Sequence, residues 1–273
     1  MRHLTETEVF EFSTGGKSLS GFDLTGLNLN RAVLSGQDLS STDLRGTNLR
    51  GANLSNCNLS KSQITQANFS EANLRQADLS GSDLSDTYLV EARLFGANLS
   101  DVDLTGANLS GAFMTGELVL DNSRLVGVNL NGANISNGSL RNADLTVAQM
   151  RRVNLSNADL SGAQLNGASL KSCTLIGANL SGAKMLEAVL DSSNLKNARL
   201  DNSDLSKSSL KRCNFEGSSL QMAILIGSNL VNTNFEGADL TLADLTGSDL
   251  TGSLLLGAKT RWTDFSGTFL DKI

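Results

Sequence analysis

An apolar residue returns every five positions along almost the whole chain. From Leu19 the register runs through Leu24, Leu29, Leu34, Leu39, Leu44, Leu49, Leu54, Leu59, Ile64 and Phe69 to Met114. It resumes at Leu120 and holds to Leu255, then continues at Phe265 and Leu270. A small residue stands two places before each apolar one and Asn or Asp one place before, as in Ala97-Asn98-Leu99 and Ala107-Asn108-Leu109. A helix needs apolar spacings of three and four, and a half-buried strand needs alternation. A strict period of five fits neither. It fits a coil with short, nearly flat sides, each side built from one unit and each corner falling between units. The apolar residue and the small residue then both point inward, and the intervening Ser, Thr, Gly, Asn, Arg, Glu and Gln point out. Glycines at unit ends (Gly26, Gly36, Gly46, Gly51, Gly96, Gly106, Gly111) suit the corners.

Three stretches depart from the rule. Residues 1–18 stand outside the repeat. Thr5 followed by Glu8 is a capping-box pattern that predicts a short helix over 6–13, ended by Gly15-Gly16. Val9, Phe10 and Phe12 give that helix an apolar surface with which to cover the first coil, as solenoid ends require. The second departure is a slip in register: Met114-Thr115-Gly116-Glu117-Leu118-Val119-Leu120 holds one residue too many, with Glu117 the natural extra. It predicts either a bulge that the backbone absorbs or a bend between two blocks. Near the end, Thr260 takes a place where Leu is expected and Arg261-Trp262 follows. The expected organisation is an N-terminal cap over 1–18, a first block over 19–116, and a second block over 117–273 with a terminal cap, all in one continuous solenoid.

The units Ala52-Asn53-Leu54-Ser55-Asn56, Ala72-Asn73-Leu74-Arg75-Gln76 and Ala238-Asp239-Leu240-Thr241-Leu242 resemble those of the pentapeptide-repeat family. The resemblance covers about residues 19–270. It implies an all-β fold, a right-handed quadrilateral β-helix with four units per coil. About thirteen coils at the ~4.8 Å spacing of paired strands would give a rod roughly 60 Å long. The two-block pattern is similar to that of quinolone-resistance (Qnr-type) members. Those members and related gyrase-protecting proteins dimerise through a C-terminal module, and no such extended helix follows the repeats here.

Composition narrows the functional classes. Aromatic residues make up only 4% of the 273 residues and Pro is absent, so the core must be narrow and regular. No apolar run reaches the ~18 residues that span a bilayer, and the N-terminus lacks the apolar stretch of a signal peptide. These features predict a cytoplasmic protein with no membrane contact. Cys57, Cys173 and Cys213 occupy the small-residue slot and read as small buried hydrophobes, not as a disulfide or zinc site. A formal net charge of −6 argues against direct nucleic-acid binding.

Catalytic motifs fail one by one. The only histidine, His3, lies outside the repeat, which leaves no hydrolase triad of the usual kind. Gly15-Gly16-Lys17-Ser18 looks like the end of a phosphate loop, but Glu11 stands where the earlier Gly is required. Asp101-Val102-Asp103 opens like a calcium loop, but Ala112 takes the place of the bidentate Glu. No enzyme activity, catalytic residue, metal or cofactor is expected.

What remains is the outer surface. With twenty residues per coil and Glu117 as the extra one, one column carries Asp23, Asp43, Asp83, Asp103, Asp144, Asp204, Asp244 and Asp264, interrupted by Gln63, Arg124, Gln164, Lys184 and Ile224. This is the candidate acidic interaction face. Asp and Asn also share the position for local hydrogen bonding, which accounts for the column without a partner. Exposed apolar residues gather late in the chain, and Ile224, Ile226, Leu254, Leu256, Trp262 and Phe269 are the candidates for self-association, a homodimer through the C-terminal coils. The expected function is a rigid, non-catalytic scaffold for an unidentified protein partner. The alternative that the resemblance implies is a DNA mimic that binds DNA gyrase, a type II topoisomerase, and protects against quinolones. A third is a secreted bacterial effector.

Overall fold

The computed structural model describes residues 1–270. The last three residues, Asp271-Lys272-Ile273, in which the expected terminal cap ends, lie outside the described residues. The chain forms two compact units, Met1–Ser139 and Leu140–Ile273. Each is a four-sided β-helix. No side is long enough for a conventional strand; each pairs with the side one coil on through a single parallel bridge, as in Asn53–Asn73 and Asn73–Arg93. Before the last coil, leucines at the repeat positions are buried in both units, together with Phe69 in the first and Phe215 and Phe235 in the second.

The reason five residues suffice is visible in one unit, Ala52 to Asn56. Ala52 N–H donates to Leu49 O at 3.0 Å, closing the corner. Asn53 N–H reaches back to Ala32 O and Leu54 N–H forward to Asn73 O, at 2.9 and 2.8 Å. Ser55 N–H donates to the Asn53 side-chain Oδ1 at 3.2 Å, and Asn56 N–H to Arg75 O at 2.9 Å. Every amide of the unit is therefore satisfied, as a buried backbone requires. The Asn or Asp before each Leu is the acceptor that the ladder itself cannot supply.

The corner places its third residue in the left-handed region that type II turns demand. Glycine is the cheapest occupant, as at Gly51, where φ is +65°. Yet Arg31, Lys61, Glu71 and even the β-branched Val147 adopt the same conformation at φ values of 53° to 60°. The coil over-determines that backbone, so the corner glycines are a preference and not a rule.

The small slot also has a polar form. Ser62, Ser82, Ser193, Ser208 and Ser228 hydroxyls donate to the carbonyl of the inward residue one coil back, at 2.6 to 2.8 Å. The cysteines do the same: Cys57 Sγ to Leu34 O at 2.9 Å, Cys173 Sγ to Met150 O at 2.7 Å and Cys213 Sγ to Leu190 O at 3.0 Å. Burial pushes their thiols up, Cys57 to about 11 and Cys173 and Cys213 to about 12. All three are expected to resist a disulfide reagent at mildly alkaline pH in the native protein and to react together once guanidinium unfolds it. Rapid native labelling of any one would show that its coil opens. Because the folded state holds the proton more tightly, the stability these thiols contribute is present below the ordinary thiol range. It is lost as pH rises through that range toward the folded values.

At the start of the first unit, α1 spans Glu6–Thr14. Thr5 is its N-cap and forms the full capping box with Glu8, and Gly15 is its C-cap. The helix replaces one side of the first coil. Leu4 and Val9 fall in the five-residue register and are buried, although residues 1–18 carry no visible repeat. Glu6 Oε1 accepts the Asn28 N–H at 2.9 Å, an amide that has no earlier coil to bond. Phe12 packs edge-on to Phe22 with centroids 5.5 Å apart. Phe10, expected on the covering face, is instead 69% exposed, because it points away from the coil. His3 is part of the ladder, bridged to Asp23, rather than loose at the chain start.

The slip is a corner bulge. Bridges across it join residues 21 apart (Asn98–Val119, Asp103–Arg124, Asn108–Asn129, Phe113–Asn134) and return to 20 apart at Val119–Ser139. The extra residue is taken up between Met114 and Leu118, where Gly116 has φ +85°. A Cβ there would stand 2.6 Å from the Phe95 ring, so any other residue would have to displace that ring as well as adopt the left-handed φ.

Candidate functional site

The Asn/Asp position points outward and forms a ladder on each side of each unit. On one side of the first unit the ladder runs His3, Asp23, Asp43, Gln63, Asp83, Asp103, Arg124. On one side of the second it runs Asp144, Gln164, Lys184, Asp204, Ile224, Asp244, Asp264. All eight candidate aspartates therefore occupy equivalent places, and each turns one oxygen back to the chain. Asp23, Asp83 and Asp103 Oδ1 accept the N–H of Thr25, Ser85 and Thr105 at 2.9, 3.0 and 2.9 Å. Asp43 accepts that of Arg45 at 3.2 Å. Asp144, Asp204, Asp244 and Asp264 accept from Thr146, Ser206, Thr246 and Ser266 at 2.8 to 3.1 Å. The local bond stabilises the charged form. It is the leading cause that holds Asp23 down to about 2, with the side chains of Thr25 and His3 adding to it; at Asp264 the Ser266 hydroxyl leads and the Ser266 N–H adds to it, holding the carboxyl below the usual range.

Part of this charge is compensated where it stands. In the first unit His3 Nδ1 lies 3.3 Å from Asp23 Oδ1, Arg45 Nη2 lies 2.6 Å from Asp43 Oδ2, and Arg124 Nη1 lies 3.5 Å from Asp103 Oδ2. One other side of the first unit holds mostly amides, Asn28, Asn48, Asn68, Asn108 and Asn129, some of which link coil to coil (Asn48 Nδ2 to Asn28 Oδ1, 3.0 Å).

The six late apolar candidates do not form one face. Leu254 and Leu256 line a cavity of about 400 Å³ with Leu250, Leu255 and Leu270 in the last described coil. Ile224 stands in the acidic ladder, and Phe269 extends the ladder that contains Asp249 on another side. Trp262 sits at a corner with the Arg261 guanidinium 3.7 Å above its ring. Ile226 is 40% exposed one place after Leu225. In the last coil Leu255 and Phe265 are only half buried, where their counterparts one coil earlier are sealed.

A further cluster lies on the first unit and was not singled out by the repeat pattern. Arg75, Arg93, Phe95, Phe113 and Thr115 line a cavity of about 350 Å³. Phe113 fills a ladder position that holds Asn in Asn53, Asn73 and Asn134, and Phe95 follows Leu94 where a small polar residue is usual. Stacking the chain at twenty-residue intervals, which aligns Arg75 with Phe95 and Arg93 with Phe113, is the signal that would have found it. Among the described residues no group of three or more His, Cys, Asp or Glu is placed to hold a metal ion.

Comparison with known proteins gives two family matches. A model described as pentapeptide repeats (8 copies) matches residues 18–56, 57–96, 97–116, 118–146 and 223–257, and one described as pentapeptide repeat region matches 148–225. Between residues 18 and 257 only Glu117 and Val147 fall outside a match, and the first of these is the expected extra residue. Among curated proteins no match to the chain is found. Among solved structures, the chain is similar to HetL, a pentapeptide repeat protein involved in heterocyst differentiation regulation in the cyanobacterium Nostoc sp. strain PCC 7120. The identity is 31% over 96% of this chain and 97% of that one, with a TM-score of 0.44. It is also similar to QnrB1, a plasmid-mediated fluoroquinolone resistance protein, at 17% identity over 92% of each chain with a TM-score of 0.46.

Proposed function

The chain belongs to the pentapeptide repeat family, and from that premise we propose that it is a non-catalytic scaffold that presents rigidly held side chains to a protein partner. One observation carries this reading. The coil closes its own backbone and core with the inward residues and the Asn/Asp acceptor. Nevertheless large side chains stand exposed at positions that folding leaves free: Tyr88, Phe95 and Phe113 in the first unit and Trp262 in the second. Aromatic residues on a surface that excludes little water for its own sake are the type that dominates protein–protein contacts.

The DNA-mimic reading rests on the aspartate ladders and is the weaker one. Duplex DNA offers about one charge per ~1.7 Å, whereas a ladder offers at most one per ~4.8 Å coil. Three of the four aspartates in the first unit's ladder already face a basic side chain within 3.5 Å.

The test is affinity capture with the intact protein, followed by titration of each captured protein after separate purification. We expect at least one to bind at micromolar concentration or tighter, and to weaken at least tenfold when Phe113 and Trp262 are both changed to Ser. Sedimentation of the purified protein reports in the same series whether the partner is a second copy. A reproducible turnover activity that disappears on changing outward residues would overturn the non-catalytic assignment.

A further inference from the structure

We propose that the cavity between Arg75, Arg93, Phe95, Phe113 and Thr115 is a docking site for a short acidic segment of a partner protein, with a carboxylate between the two guanidinium groups and a neighbouring apolar side chain against the two rings. This deepens the scaffold reading and rests on it.

The first ground is charge. In a chain of net charge −6, the cavity is lined by two arginines and no acid. No carboxylate lies within ion-pair distance of Arg75 or Arg93 among the described residues. Four other arginines of the same unit are engaged, Arg2 with Glu8, Arg45 with Asp43, Arg50 with Glu71 at 2.6 Å and Arg124 with Asp103. Glu71 and Glu91 border an adjoining cavity that shares Arg93 and Phe113 with this one, and Arg50 already holds Glu71. An exposed guanidinium is always charged and presents a planar fork that matches a carboxylate. Its complement is therefore an anion supplied from outside.

The second ground is the apolar half. Phe95 and Phe113 are 41% and 55% exposed, and neither position is required by the fold to be aromatic. Phe113 bridges directly to Arg93, and the Arg75 guanidinium lies 5.2 Å from the Phe95 ring centroid. Ring and cation thus alternate across about 350 Å³, enough space for two neighbouring side chains. Neither pure anion binding nor pure apolar burial would call for that arrangement. An Asp or Glu next to Phe, Trp or Leu would satisfy both halves.

The third ground is preorganisation. The Phe95 ring is seated against Gly116 in the bulged corner, and Thr115 of that corner supplies a hydroxyl to the same cavity. The extra residue in the chain thus shapes one wall of the site. Side chains fixed before binding lose little entropy when a ligand arrives.

The experiment is a selection from a random twelve-residue peptide display library on the full chain, run in parallel on Arg75→Gln/Arg93→Gln and on Phe113→Ser. Circular dichroism melts confirm that both variants fold. The wild type is expected to enrich peptides with Asp or Glu within three residues of Phe, Trp or Leu. A synthetic consensus peptide should then bind the wild type at least tenfold more tightly than either variant, and its Glu→Gln form should bind more weakly. No enrichment, a basic or uncharged consensus, or equal binding to wild type and double variant would overturn the proposal. So would arginine-dependent binding of duplex DNA or anionic vesicles in the absence of peptide binding. A purified partner that binds wild type and double variant equally removes this site and leaves the scaffold reading standing.

Discussion

Changing Leu180 to Asp is expected to abolish cooperative folding of the second unit. Leu180 is fully buried, and the inward residues one coil away in either direction, Leu160 and Leu200, are fully buried too. A carboxylate placed there has apolar side chains above and below it and no cation to pair with. The nearby backbone donors are taken; Leu180 N–H itself donates to Arg199 O at 2.6 Å. An unpaired buried charge adds to the lost transfer energy of the leucine, which for truncation to Ala alone is about 2–5 kcal/mol. The sum exceeds the ~4–5 kcal/mol that marks an exceptional single substitution. Circular dichroism should show no sigmoidal melt of that unit, and hydrogen exchange should lose protection first at the coils flanking residue 180. In a repeat architecture each coil is stabilised by its neighbours, so the damage spreads outward from there. Leu180→Met is the control, expected to cost less than ~1.5 kcal/mol, since Met150 and Met185 already fill the same kind of slot. A Leu180→Asp protein with an unchanged melt would show that the inward ladder is not the core.

The second large effect is expected at Phe215. Its ring stacks on Phe235 with centroids 5.1 Å apart and planes within 8°, and both are fully buried. Their column continues into Leu195 on one side and Leu255 on the other. Phe215→Ala should destabilise by about 3–5 kcal/mol, because flanking coils tied by backbone bonds cannot collapse into the cavity. Phe215→Leu, which matches the rest of the column, should cost less than ~1.5 kcal/mol. A double-mutant cycle with Phe235→Leu should return a coupling of about 0.5–1.5 kcal/mol, the share owed to ring–ring contact beyond buried area. Urea midpoints read by circular dichroism give all three values; a Phe215→Ala shift no larger than that of Phe215→Leu would remove the cavity from the account, and a coupling near zero would remove stacking.

The core was legible in the sequence because it obeys a single rule. Leu, Ala, Cys and Ser positions follow from the five-residue period, and the Thr5–Glu8 capping box announces α1. What the period hid falls into two kinds. Leu4 and Val9 keep the register while the chain between them turns helical, so a search for repeated units passes over them. The candidate site depends on neighbours a coil apart in space. Arg75 and Phe95 become adjacent only when coils are stacked, and no local motif joins them. The compensation of Asp43 by Arg45 was open to inspection in the sequence, whereas that of Asp103 by Arg124 runs across the bulge, between partners 21 positions apart.

The satisfaction of every amide in a unit such as Ala52 to Asn56 has an evolutionary consequence. Folding draws on the inward pair and one Asn or Asp, and the remaining residues of each unit face water with few backbone duties. Recognition can therefore be rewritten without renegotiating the fold. Selection can exchange an Arg for a Phe on the outside of one coil, try a new partner, and leave the heritable shape of the molecule untouched.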